Sequence, residues 1–134
     1  MKTADKKKQL ARKAERLWKK VALLKWGDRC LVCGKPASTF HHFIPRSRSL
    51  VLKYDVENAI PICTKCHYKI HFSSNPVEVA EIVDLIKKKR GEEWVDYIDE
   101  KRKILSHGLN NIKWYEEQIK KLKRQLSKYS KNYD

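Results

Sequence analysis

The stretch Cys63-Thr64-Lys65-Cys66-His67-Tyr68-Lys69-Ile70-His71 joins a C-x-x-C pair to two histidines four positions apart. On a helix that starts near Lys65, residues at this spacing share a face, so His67 and His71 can reach one ligand. Upstream, Cys30-Leu31-Val32-Cys33-Gly34 supplies a second C-x-x-C pair, and His41-His42-Phe43-Ile44-Pro45-Arg46 supplies two more histidines. Four thiolates at ~2.3 Å in a tetrahedron close a structural zinc site. No export signal is visible, so zinc is favoured here over two disulfide or redox pairs. A short strand around Ser38–Phe43 would point His41 and His42 to opposite faces, because side chains alternate along a strand. Three imidazoles from that strand and the helix could then hold one divalent metal with positions left open, and the remaining histidine could take a proton from water. Asn58 does no acid/base chemistry near neutral pH, but its amide can bridge two backbone segments or orient a histidine.

The chain has 134 residues, 31 Lys and Arg against 16 Asp and Glu, and a formal charge of +15. No apolar run approaches the ~18 residues of a membrane span. The N-terminus lacks the apolar core of a secretory signal, which gives a cytoplasmic expectation. A charge this positive points to nucleic acid as the partner before an anionic membrane. Residues 1–27 carry ten basic and two acidic side chains, and residues 76–106 carry seven and eight.

Leu10, Ala14, Leu17, Val21 and Leu24 step by three and four, so 4–26 reads as one basic amphipathic helix. Asn75-Pro76 reads as a helix start and Gly91 as its stop. A further helix holds Trp94, Val95 and Ile98. Ile112, Tyr115, Ile119, Leu122, Leu126 and Tyr129 form a last apolar stripe, which either docks on the N-terminal helix or joins two chains. The four tryptophans read as core or helix contacts. The expected organisation is a basic helix at 1–27, a Cys/His core at 28–75 and a helical region at 76–134.

The ordered set of H-H-x-x-P, Asn58 and the flanking C-x-x-C pairs resembles the HNH, or ββα-metal, endonucleases over Cys30 to about Asn75. The resemblance implies an α+β fold: a small ββα-metal core with a structural zinc on the four cysteines, flanked by an N-terminal helix and two to three C-terminal helices. It implies His41, His67 and His71 as ligands of a catalytic Mg²⁺ or Mn²⁺, His42 as general base, and Asn58 as the residue that orients the base's loop. Arg46 would clamp phosphate. Arg48, Lys69, Lys13 and Lys20 complete the expected DNA contacts. The activity implied is hydrolysis of DNA phosphodiester bonds.

The whole layout is also similar to phage recombination endonucleases of the NinG/Rap type, through Gly91, Val95-Asp96-Tyr97-Ile98 and Trp114. That likeness implies branched DNA such as a Holliday junction as substrate, a homodimer through the terminal helices, and the cytoplasm of a bacterial host if phage-encoded. The alternatives are a site-preferring or nonspecific nicking or homing-type HNH enzyme, and a non-catalytic zinc module that only binds DNA.

Overall fold

A computed structural model describes residues 2–131 of the chain; positions 1 and 132–134, the latter within the expected third segment, lie outside the described residues. The order is α1 (Thr3–Trp26), β1 (Thr39–His42), α2 (Leu50–Lys53), a 3-10 turn (Val56–Asn58), β2 (Ala59–Ile62), α3 (Thr64–Phe72), α4 (Pro76–Arg90), α5 (Glu92–Arg102) and α6 (Ile112–Lys131). This is an α+β fold with a two-stranded antiparallel sheet at its centre. In its register His41 faces Ile60 and His42 faces Ala59.

All four residues of β2 are buried, which explains why Ala59-Ile60-Pro61-Ile62 reads as a continuous apolar run rather than an alternating one. Its side chains feed three clusters. Ala59 packs with Ala14, Trp18 and Val21 of α1 and with Trp114, Ile119 and Leu122 of α6. Ile60 packs with Ile82 and Ile86 of α4 and Trp94 and Ile98 of α5. Ile62 packs with Cys30 and Cys66. The sheet is therefore clasped between an α1–α6 pair and an α4–α5 pair.

The boundaries follow local chemistry. The Asn75 side chain accepts from the Val77 and Glu78 N–H groups, with Pro76 in the first helical turn. Gly91 at φ 93° closes α4, a backbone angle that an L side chain rarely adopts. The Asn111 side chain accepts from Trp114 N–H at 2.8 Å and starts α6. The apolar stripe of α6 docks on α1 within the chain, with Leu126 and Tyr129 half-buried at its end. Of the two docking modes open in the sequence, this apolar face takes the intramolecular one.

The turn that carries Asn58 is held by tryptophans from the flanking helices. Trp18 of α1 donates its indole N–H to the Asp55 carbonyl at 2.8 Å, Trp26 of α1 to Val56 at 2.9 Å, and Trp94 of α5 to Glu57 at 2.8 Å. Arg90 donates to the Ala59 carbonyl at 2.7 Å while its guanidinium lies 3.5 Å from the Trp26 ring centre. Burial pushes Arg90 down to about 10, which leaves it charged at neutral pH. Among the described residues, no buried side-chain nitrogen or oxygen lacks a partner.

Candidate metal and nuclease site

Two clusters of metal-type ligands stand on this frame. The first joins Cys30, Cys33, Cys63 and Cys66, whose sulfurs lie within 4.8 Å of one another. None is disulfide-bonded. Cys33 Sγ and Cys63 Sγ are 3.6 Å apart. The edge of a zinc–thiolate tetrahedron with ~2.3 Å bonds is about 3.8 Å, so the cysteines fit zinc. Gly34, at φ 80°, turns the first knuckle so that its N–H meets the Cys30 carbonyl at 2.9 Å. Cys63 caps α3, and the Cys66 N–H donated to its sulfur brings Cys63 down to about 7, which favours the thiolate that binds metal. Burial pushes the Cys66 thiol up.

The second cluster joins His41, His67 and His71. The alternation of β1 turns His41 to the Ile60 side of the sheet, where α3 presents the other two rings. His41 lies 5.1 Å, centre to centre, from each of them. His67 Nε2 and His71 Nε2 are 3.0 Å apart. Two cis ligands at ~2.1 Å from a metal sit about 3.0 Å apart in an octahedron and about 3.4 Å in a tetrahedron. The three rings therefore fit a divalent ion with open positions. His41 is buried, and burial first, then the neighbouring histidines, lower its pKa to about 3. Burial lowers His67 as well. Both rings are therefore neutral, the form that binds metal, at physiological pH.

His42 points to the other face. Its ring stacks on the Trp18 indole, with centres 4.2 Å apart and planes 9° from parallel. Its Nε2 lies 2.9 Å from the Lys53 carbonyl. A carbonyl only accepts, so Nε2 carries the proton and Nδ1 keeps a free lone pair. Burial is the main cause of a lowered His42 pKa, opposed by that hydrogen bond.

Asn58 is fully buried. Its Oδ1 accepts from Ile44 N–H at 2.8 Å, and its Nδ2 donates to the Ile44 and Leu52 carbonyls at 2.9 and 3.2 Å. It thus ties the segment after the histidine strand to α2, which ends at Lys53.

One cleft gathers His41, His42, His67, His71 and Arg46 with Glu15 and Lys19 of α1. Arg46 reaches Glu15 at 3.7 Å. The other expected DNA contacts do not line this cleft. Lys69 lies on the far side of α3 beside Lys65. Arg48 is exposed in the turn after Pro45. Lys13 and Lys20 are exposed and, seven apart on α1, share a face away from Glu15 and Lys19. Lys13 sits beside Lys123 of α6, whose charge lowers its pKa. The sequence pointed to the helix but not to which of its faces meets the histidines. Trp18 was legible as a core residue, one turn beyond Ala14, but nothing in the sequence pairs its ring with His42.

Four cysteines positioned for zinc, beside a strand pair and a helix that carry an open histidine cluster, form a candidate metal-binding core. Residues 30–73 match the HNH endonuclease family, and this domain supports a metal-dependent nuclease acting on DNA. A stretch of 48 residues is 40% identical to the mitochondrial DNA mismatch repair protein mutS homolog of Sarcophyton glaucum; it covers 33% of this chain and 5% of that protein. The chain thus corresponds to a small fraction of that relative's length. No solved structure gives a significant match to the chain.

Proposed function

We propose that the chain is a metal-dependent endonuclease that hydrolyses DNA phosphodiester bonds, with selectivity for branched DNA such as a four-way junction. One observation carries the nuclease part: a histidine with its Nδ1 lone pair free lines the same cleft as three histidines whose nitrogens lie within 4.8 Å of one another. In this reading His41, His67 and His71 hold a divalent ion, Mg²⁺ or Mn²⁺, and the cysteines hold a structural Zn²⁺. The ion would supply positive charge at the scissile phosphate and at the leaving 3′ oxygen. His42 Nδ1 takes the proton of the attacking water as the new P–O bond forms in line with the P–O3′ bond that breaks. The Lys53 carbonyl and the Trp18 ring hold His42 at that task. Asn58 fixes the segment between them. Arg46 exchanges Glu15 for a phosphate oxygen.

Residues 28–75 form the nuclease unit in this reading, with 1–27 and 76–134 as its flanking regions. The branched-DNA part is supported by the wider layout and by the basic excess at both ends of the chain. A homodimer would make paired cuts, and it would have to use surfaces other than the apolar stripe of α6.

The test is cleavage of a labelled four-way junction, the matching linear duplex and single-stranded DNA, in Mg²⁺ and in Mn²⁺, beside His42→Ala. Junction-selective cutting that the variant loses is the expected result. Equal cutting of all three substrates removes branch selectivity. Binding without cleavage in either metal leaves a non-catalytic zinc module.

A further inference from the structure

We propose that Tyr68 and Phe72 form a stacking platform for an unpaired nucleobase next to the scissile phosphate. The proposal rests on the nuclease reading and names its substrate more closely, as DNA that is single-stranded at or beside the cut.

Both rings are unusually bare. Tyr68 is 64% and Phe72 69% exposed, whereas Trp18, Trp94 and Trp114 are buried. The two rings sit one helical turn apart with centres 5.0 Å apart, tilted by 40°, and so make a paired apolar ledge. Their neighbours on α3 define what the ledge can take. Around the helix, His67 and His71 come first, then Tyr68 and Phe72, then Lys65 and Lys69, and then Cys66, buried beneath. The Phe72 ring lies 6.1 Å from the His71 ring, so the ledge adjoins the metal cluster. On its other flank, Lys65 and Lys69 line the same shallow hollow as Tyr68 and Phe72, with Glu78 of α4 on its wall.

A ligand that fits offers flat π faces to the rings, negative charge to the lysines and a phosphate to the metal cluster. A nucleotide strand has all three. Base–aromatic stacking works with every base because every base has a π face. In a continuous duplex those faces are stacked on neighbouring pairs, so the ledge meets a base only where pairing is broken. Branch points and single-stranded tails provide that, and unbroken duplex does not.

The test uses the full chain with His42→Ala, so that cutting does not intervene, and oligonucleotides carrying 2-aminopurine. The probe is placed in a single strand, at the branch of a junction and within a plain duplex. The expected result is quenching in the first two and not in the duplex. Replacing both rings (Tyr68→Ala with Phe72→Ala) should abolish the quenching and weaken single-strand binding about tenfold or more, with duplex binding changed less than about twofold. Tyr68→Phe should keep the quenching. Lys65→Ala with Lys69→Ala should weaken binding and flatten its salt dependence.

Equal single-strand affinity with and without the rings overturns the proposal. So does a change in sedimentation mass on replacing them, which would make the ledge a contact between copies of the chain. The two readings fail separately. Ring-dependent quenching by a chain that cuts nothing refutes the nuclease and keeps the platform. Unchanged branch selectivity in an active chain without the rings refutes the platform and keeps the nuclease.

Discussion

The two ligand clusters share α3 and are built on opposite plans. The cysteine cluster is complete: four ligands from two knuckles, with Cys30 and Cys66 buried beside Ile62. The histidine cluster offers three ligands and opens on a cleft shared with His42, Arg46 and two residues of α1. A closed tetrahedral site holds structure together, and an open one leaves room for a substrate atom. One short helix serves both because its first turn carries Cys63 and Cys66 and its later turns carry His67 and His71. If the comparison is right, damage to the first cluster unfolds the protein and damage to the second leaves it folded and inactive.

The largest effect should follow from Cys66→Ser. Structural zinc contributes ~10–16 kcal/mol of apparent free energy in zinc-finger peptides, against a typical total stability of ~5–15 kcal/mol. Thermal unfolding followed by circular dichroism should lose its cooperative transition, while His67→Ala should shift it little. A His67→Ala chain that unfolds as badly as Cys66→Ser would break the distinction.

Removing the general base should come next. His42→Ala is expected to slow single-turnover cleavage by ~10²–10⁴, with Co²⁺ binding at the histidine cluster retained. Cleavage reduced less than about tenfold would take the role of base from His42.

Asn58→Ala probes the frame rather than either cluster. It strips partners from the half-buried Ile44 N–H and carbonyl, whereas the Leu52 carbonyl keeps the Asp55 N–H at 3.2 Å. At ~1–3 kcal/mol per abandoned group, urea denaturation should report a loss of about 2 kcal/mol or more. A loss below about 1 kcal/mol would show that the two segments hold their positions without the amide.

The smallest effect is a pH dependence. His41 has a pKa of about 3 in the fold against about 6.5 in the unfolded chain. The unfolded state therefore binds more protons between these values. The histidine is no burden above pH ~6.5, and stability falls as the pH drops below it, by up to ~1.4 kcal/mol per pH unit. His41→Gln should make the loss of stability between pH 7 and pH 5 shallower, by about 1–2 kcal/mol, in matched urea titrations. Parallel curves for the two chains would contradict the burial argument.

Much of the fold was legible because its signals are local. The helix at 4–26, the Asn75-Pro76 start, the Gly91 stop and the strand around Ser38–Phe43 each follow from capping, backbone freedom or periodicity within a few residues. The opposed directions of His41 and His42 follow from strand alternation alone. The tryptophan contacts to the Asp55, Val56 and Glu57 carbonyls were not legible, because a backbone carbonyl carries no side-chain signature. Charge alone singles out Lys13 and Lys20, whereas Glu15 and Lys19 reach the cleft because of how α1 is rotated. That rotation depends on Trp18, Val21 and Ala22 finding the sheet and α6.

By itself, the sequence determined the ligand inventory, the helix limits and the sides of the strand that the two histidines take. These depend on residue type and on the periods of 2 and 3.6 that the backbone imposes. Only the tertiary structure decided that α6 folds back on α1, that Trp18 lies flat on His42, and that Arg46 meets Glu15. Those outcomes depend on which apolar surfaces fit one another across long separations in the chain, and that fit is a property of packing.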